Sequence, residues 1–597
     1  MRALAYFTNW LRGAILAVAA LALASVGAIA AEIRLELADG GSALERELKA
    51  NSALFAADEA GDPPADVLFA AALADYRRLT DALHAEARYG GVVRIRVDGR
   101  EAAEIPLLSP PESIREIVIR VEPGPPFRFG EARLAPLPQG AAPPEAFRPG
   151  EPALAGAVRA AAQAGIDAWR AAGHAEAALA ETSLIADHPQ RRLDAALRLA
   201  PGPTLGFGRL IVPDSAVRPE RVREIAGLPE GQRFSPDALD RTVERLRRTG
   251  AFSSVTVEEQ PARAGEVPIA LTLVDAKPRR IGAGAEVASS DGVSLSGFWM
   301  HRNLRGGAER LRFDVEADNL ASQSSGEDAR IATRFERPAT FGTDTTFFAT
   351  GEASLTDEDD YISRTGLLSA GLQRRVTPTL EIEYGGEFSF THASGTFGPR
   401  DMTILGLPAR LTYDLRDDPL DATRGTYLKA GAMPFLGAVD AQSGARLTLD
   451  GRGYRTLAPR LVAAARVQAG SVIGPDLDAV PPEHLFTSGG AGTVRGQPFE
   501  SLDVDVGGQE IGGRSFLGLQ GEMRTGVTER IGLVAFLDAA YVGPDSFYDG
   551  GGEWHSGTGI GLRYATGLGP IRFDVAGPIS GGEPSGVQFY IGIGQAF

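Results

Sequence analysis

The sequence predicts a membrane β-barrel of about 16 antiparallel strands preceded by three small α+β domains. Three observations lead there: an N-terminus built for export, a weak repeat between residues 32 and 279, and a two-residue alternation of apolar and polar side chains from Ile281 to a final aromatic, Phe597. The expected boundaries are a signal peptide over 1–30, domains over 31–124, 125–202 and 203–279, and a barrel over 280–597.

At the N-terminus, Arg2 and Arg12 flank an apolar run from Ala14 into Val26, and Ala28-Ile29-Ala30 offers small residues suited to cleavage. The uncharged stretch Ala14–Ala31 is also just long enough to read as a spanning anchor. No later segment has that length and apolarity, so a membrane role must rest on a barrel. With no cysteine, disulfides, thiolate metal sites and cysteine nucleophiles are excluded. The formal charge of −17 argues against nucleic acid as a partner, since phosphate recognition needs basic patches.

The repeat is carried by Val121–Gly130 (VEPGPPFRFG) and Leu199–Gly208 (LAPGPTLGFG), with a degraded third copy at Val274–Pro278. Repetition at this spacing points to modules in a line. In the third module, Leu239, Val243 and Leu246 recur at helical spacing and Gly250 ends the helix. Val255 and Val257, then Ile269, Leu271 and Leu273, alternate as strands. The first module fits a strand at 33–37, helices near 42–57 and 66–87, and strands near 92–97 and 116–122. The order β-α-α-β-β, with a glycine and Phe252 before the strand, resembles the POTRA domain. Such a module binds rather than catalyses, because an open sheet edge accepts another strand through backbone hydrogen bonds.

In the C-terminal half, Ile531, Leu533, Ala535, Leu537, Ala539 and Tyr541 share one face, and Gly532, Val534, Phe536, Asp538, Ala540 and Val542 the other. An apolar wall toward lipid around a wet interior requires this pattern. Residues 281–597, at roughly 20 residues per strand with its share of loop, give about 16 strands. In the last strand Phe589, Ile591, Ile593 and Phe597 are expected to point one way, as is familiar in bacterial outer-membrane barrels. Gly282, Gly284, Gly592 and Gly594 lie at the two edges that must close, where missing side chains either weaken the seam or fit a crowded interior.

The stretch Gly489–Glu500, GGAGTVRGQPFE, sets Arg495 between glycines in a loop. Its core, Val494-Arg495-Gly496, resembles the sixth extracellular loop of the outer-membrane assembly superfamily to which BamA and TamA belong. Gly284–Arg305, with Trp299, His301, Arg302, Asn303 and Leu304, looks like the family's first barrel hairpin. Tyr413–Pro419 followed by Arg424-Gly425 resembles its mid-barrel Asp-x-Arg-Asp-x-Pro signature. Phe536–Ala540 is similar to its Phe-x-Asp-x-Gly strand with alanine in place of glycine, and Gln497 stands where relatives often carry tyrosine. The resemblance implies that the loop enters the lumen as a latch and that Arg495 pairs with acids on the inner wall. Glu522, which alternates with Leu519, Gly521 and Met523, and Asp538 are the residues placed to serve.

The seven histidines form no metal-spaced cluster, HExxH, GxSxG and GxxxxGK[ST] are absent, and no enzyme or cofactor is expected. The resemblance implies a TamA-like assembly factor that assists insertion of β-barrel or autotransporter-type clients, in contact with outer-membrane lipid, unfolded outer-membrane protein clients and a TamB-like inner-membrane-anchored partner. A BamA-like general insertase, which usually has five modules, and a two-partner secretion pore, which usually has two, are alternatives. A passive channel or receptor with periplasmic adaptor domains is the reading from another class.

Overall fold

The computed structural model describes residues 31–597 apart from 40, 62, 289–291, 321–325, 359–360, 507, 509, 568 and 582–585. The signal-peptide expectation for 1–30 lies outside the described residues. The chain divides into two compact units. One holds the described residues through Gly206 with the short segments 231–236 and 262–267, and the other holds the remainder of the third module and the barrel.

In the first unit, the strand Glu32–Leu37 runs parallel to Glu116–Glu122, which pairs antiparallel with Val92–Val97. Helices Gly41–Asn51, Ala53–Glu59 and Ala65–Ala85 cover this sheet through a core that includes Leu48, Leu54, Leu79, Leu83, Ile95 and Ile119. Buried Asp75 accepts from Ser52 Oγ at 2.5 Å, Ala53 N at 2.6 Å and Leu54 N at 3.2 Å. It thereby satisfies orphan donors at the start of the short helix. The second module pairs Arg128–Ala135 parallel with Arg192–Ala200, and the latter antiparallel with Ala178–Asp187. Here the β-α-α-β-β order gives way to one described helix, Ala155–Ala171. Pro138, Pro143, Pro144, Pro149 and Pro152 fill the stretch where a first helix would lie, and proline cannot continue an interior helical ladder.

The third module has strands Gly206–Ile211, Phe252–Glu259 and Glu266–Asp275 with helices Pro219–Ala226 and Pro236–Arg248. Gly227 sits at φ +57°, the left-handed cap that ends the first helix.

The barrel strands are β1 Arg279–Ala288, β2 Gly292–His301, β3 Arg310–Leu320, β4 Asp328–Arg337, β5 Thr345–Asp357, β6 Tyr361–Thr377 and β7 Leu380–Gly395. Then come β8, in two pieces at Arg400–Gly406 and Ala409–Asp414, β9 Gly425–Val439, β10 Gly444–Ala458 and β11 Leu461–Ile473. The last five are β12 Ser515–Gly526, β13 Ile531–Gly543, β14 Glu553–Tyr564, β15 Ile571–Ser580 and β16 Gln588–Ile593. They form a closed antiparallel barrel. Both pieces of β8 keep one register with β7 and with β9, so they occupy a single wall position. Pro408 interrupts them because it has no N–H for the ladder.

Side chains alternate as the sequence reading expects. Val315, Ile331, Leu368, Leu436, Leu537 and Ile560 face outward and exposed. Inward, Arg330 bridges Glu316 at 3.0 Å and Glu352 at 2.7 Å, Arg334 reaches Glu383 at 3.0 Å, and Arg452 and Arg466 share Asp450.

At the closing seam, among the described residues, β1 and β16 pair at Val287–Ile591 and Ala288–Tyr590, whereas β1 pairs with β2 along its whole length. The edge glycines play different parts. A Cβ at Gly282 would lie 2.2 Å from the Phe298 ring, and one at Gly284 2.7 Å from Ser296 Oγ, so crowding by β2 on the inner face accounts for both. A Cβ at Gly592 would meet Arg572 Nε at 3.1 Å.

Gly594 lies beyond β16 at φ +93° and corrects the expectation for Phe597. Phe589, Ile591 and Ile593 are 45%, 51% and 69% exposed on the outer face, but Phe597 is 6% exposed. The left-handed turn at Gly594 breaks the alternation and sends the tail inward, where Phe597 packs with Ala422, Tyr454 and Ala464.

The third module meets the strand turns on its side of the barrel. Arg245 grips Asp344, in the β4–β5 turn, with bonds of 3.0 and 2.6 Å, and Arg248 adds a third of 2.9 Å. Asn303 Nδ2 donates to the Ala216 carbonyl at 2.7 Å. The Arg245 hydrogen bond, helped by Arg248, holds the Asp344 carboxyl down at about 2 despite partial burial. A depressed carboxyl stabilises above its ordinary value of 3.8 and stops doing so as pH falls through about 2. The junction should therefore be unchanged from neutral pH to about 4 and loosen below it. Distances between spin labels at Asp240→Cys and Phe341→Cys, in a chain with no other cysteine, should report this, and Asp344→Asn should broaden them at pH 7.

Candidate functional site

The segment joining β11 to β12 is the long loop that contains Arg495, and it folds into the barrel. Val494, fully buried, packs with Leu502, Phe516, Ala540 and Val542. This apolar anchor fixes the residue next to the arginine. Gly496 follows at φ +94°, and a Cβ there would fall 2.6 Å from the Gly577 carbonyl of β15. Only glycine permits that approach. The Gly496 N–H donates to Tyr590 Oη of β16 at 3.0 Å.

Arg495 is 0% exposed. Its Nε and Nη2 donate to the two oxygens of Asp538 on β13 at 2.7 and 3.0 Å, and its own backbone N–H reaches the same carboxylate at 3.2 Å. Nη1 donates to Glu522 of β12 at 2.6 Å and approaches Asp574 of β15 at 3.5 Å. The guanidinium lies 3.6 Å from the centre of the Phe536 ring. One side chain thus ties three strands with a forked donor set that lysine lacks.

The acids are shared. Arg524 donates to Glu522 at 2.7 Å, and Arg563 pairs with Asp574. Arg495, Arg524 and Arg563 therefore face Glu522, Asp538 and Asp574, all six buried, and the cluster is electrically balanced. Balance matters because an unpaired buried ion is far more costly than a paired one. The cluster reaches the tail: Arg524 donates to the Phe597 carbonyl at 3.0 Å, and Arg563 to Gln595 Oε1 at 2.8 Å. Gln595 Nε2 in turn donates to Asp421 at 2.9 Å, beside the Asp-x-Arg-Asp-x-Pro turn.

Of the residues singled out in the sequence, Val494, Arg495, Gly496, Glu522 and Asp538 come together. Phe589, Ile591 and Ile593 stand on the outer wall, away from them. Asp574, Arg524, Arg563, Phe536 and Tyr590 complete the cluster without having been assigned there. Asp574 alternates with apolar Phe573 and Val575, which marks its face but not its partner. Gln497 does hold the loop without an aromatic ring, since its Nε2 donates to the carbonyls of Ser556, Ser580 and Gly581 at 2.9–3.2 Å.

Residues 303–597 match the Omp85 superfamily domain, and residues 211–274 match the POTRA model, the surface antigen variable number repeat. The chain is a member of the Omp85 superfamily. A curated relative, the outer membrane protein assembly factor BamA of Nitratidesulfovibrio vulgaris (strain Hildenborough), is 24% identical over 395 residues, 62% of this chain and 48% of its own length. The chain thus spans about half of that relative. The crystal structure of Haemophilus ducreyi BamA lacking POTRA domains 1–3 superposes with a TM-score of 0.62 at 16% identity. That match covers 78% of this chain and all of the other, and it shows a common fold. In this Omp85 protein the barrel belongs to the outer membrane, and the POTRA module before it is periplasmic. The loops at the far end, including that between β11 and β12, arise on the extracellular side.

Removing the Arg495 side chain leaves buried acids uncompensated, a loss on the order of 3–5 kcal/mol. Arg495→Ala should lower the denaturant midpoint of the refolded barrel and open the loop to protease. Arg495→Lys should fall between it and the native protein, because the charge remains but the fork does not. Asp538→Ala should cost more than Glu522→Ala, since Asp538 receives three of the arginine's bonds.

Proposed function

We propose that this protein is an outer-membrane assembly or translocation factor of the TamA-like type. It receives unfolded clients or a TamB-like partner at its periplasmic modules and assists insertion of β-barrel or autotransporter-type proteins at the β1–β16 seam. The observation that carries this reading is the filled lumen: a loop locked to β12, β13 and β15 by Arg495 is suited to a barrel that works through its wall. The seam supports the same reading, because among the described residues it pairs at two positions, Val287–Ile591 and Ala288–Tyr590. Arg495 acts as a structural latch, its Nε, Nη1 and Nη2 all donating to carboxylates of the wall.

Conductance in planar bilayers tests the class. The native protein should show only small, flickering currents. A large steady conductance would instead make it a passive channel. Loss of client insertion in Arg495→Ala, with normal delivery to the outer membrane, is the expected cellular result. Native-level insertion would sink the latch role. The register partners Val287 and Ile591, changed together to cysteine, are expected to close the seam under oxidation and stop insertion, with recovery on reduction.

A further inference from the structure

One patch of the outer wall departs from a smooth lipid-facing surface. Register places Ala469 of β11 between Leu449 of β10 and Leu517 of β12, and one step toward the extracellular rim it places Ser471 between Leu447 and Ser515. Small side chains on the middle strand, flanked by leucines, leave a trough. The loop joining β13 to β14 folds back over its upper end, where Ser471 Oγ donates to the Ser546 carbonyl at 2.5 Å. Outward-facing Tyr541 is only 1% exposed, because Tyr548 and Trp554 pack on it at ring distances of 4.7 and 5.6 Å. Phe547 and Tyr548 themselves remain 60% and 61% exposed at the mouth.

The open groove holds about 310 Å³ and is lined by apolar, aromatic and small hydroxyl side chains, with no charged group among them. This is at the lower end of ligand pockets, roughly 300–1,000 Å³. It opens onto the same apolar wall that Leu449, Val467 and Leu519 present to the bilayer. Its roof is aromatic, the chemistry enriched where a barrel meets the membrane interface.

The geometry points to a dedicated site for one acyl chain of a membrane lipid, seated in the trough beneath the β13–β14 loop. The chain lies along Ala469 with Leu449 and Leu517 at its sides, and Phe547 and Tyr548 close over it at headgroup depth. Recognition is by shape alone, since no lining group can read a charged headgroup.

Native mass spectrometry tests this on the full protein extracted by mild detergent from vesicles of palmitoyl-oleoyl phosphatidylethanolamine and phosphatidylglycerol. The native protein should retain one lipid. Ala469→Phe fills the trough with a side chain that lipid tolerates, and occupancy should fall about tenfold, as expected for excluding roughly two methylenes. Ser471→Ala, which frees the roof without adding bulk, should lower it as well. Leu533→Phe, on the outer wall away from the groove, should retain lipid at the native level. In vesicles with bromine-labelled acyl chains, Trp554 should be quenched less in Ala469→Phe than in the native background. Equal retention by native protein and Ala469→Phe, or no lipid on the native protein, would overturn the assignment.

Discussion

The bond between Arg495 and the Asp538 carboxylate organises the C-terminal half of this barrel. The long loop between β11 and β12, residues 474–514, would otherwise have no reason to enter the lumen, where its backbone gives up water. The fork on Asp538, with Glu522 and Asp574 beside it, provides that reason and fixes the spacing of β12, β13 and β15. The glycines around it follow from the bond. Gly496 must pass against Gly577, and Gly557 must lie against the Arg495 carbonyl, so neither position has room for a side chain.

Charge balance links the loop to the rest of the wall. Arg524 and Arg563 complete the pairing of acids that Arg495 only half satisfies, and both then reach residues 595–597. Loop, wall and tail thus form one polar cluster inside an apolar cylinder. The other half of the barrel uses a looser arrangement, with partly exposed arginines such as Arg330 and Arg334 alternating with glutamates across neighbouring strands. The lumen is thus closed by a buried cluster on one side and lined by partly exposed ion pairs on the other.

Much of this was legible in the sequence. Alternation such as Ile531–Tyr541 is a direct imprint of the pleat, and a wall between lipid and water enforces it without exception. The first module was legible because Leu44 and Leu48, and then Leu79 and Leu83, stand at helical spacing and Ile117, Ile119 and Val121 at strand spacing. Arg495 and two acids could be grouped because the loop resembles the superfamily's sixth loop and Glu522 and Asp538 lie on inward faces of their strands. The rest depended on tertiary placement. Asp574 gives the same local signal as any inward acid, and its link to Arg495 spans 79 residues. Phe597 obeyed the period on paper, but one positive φ at Gly594 turned it inward, and periodicity carries no information about a turn. The second module has one described helix because prolines from Pro138 to Pro152 occupy the stretch where a first helix would lie, and β-α-α-β-β order carries no signal of that local break.

The degree of burial separates the two arginine clamps in a way that bears on habitat. Counter-ions screen exposed charges over about 10 Å at 0.1 M ionic strength but do not penetrate a closed cluster. Arg495, Glu522, Asp538 and Asp574 are sealed from solvent, so the loop is held equally in fresh water and in brine. Asp344, with its side chain 34% exposed, keeps its grip in a medium whose salt it feels. Salt therefore bears on the junction with the third module and leaves the lumen cluster untouched.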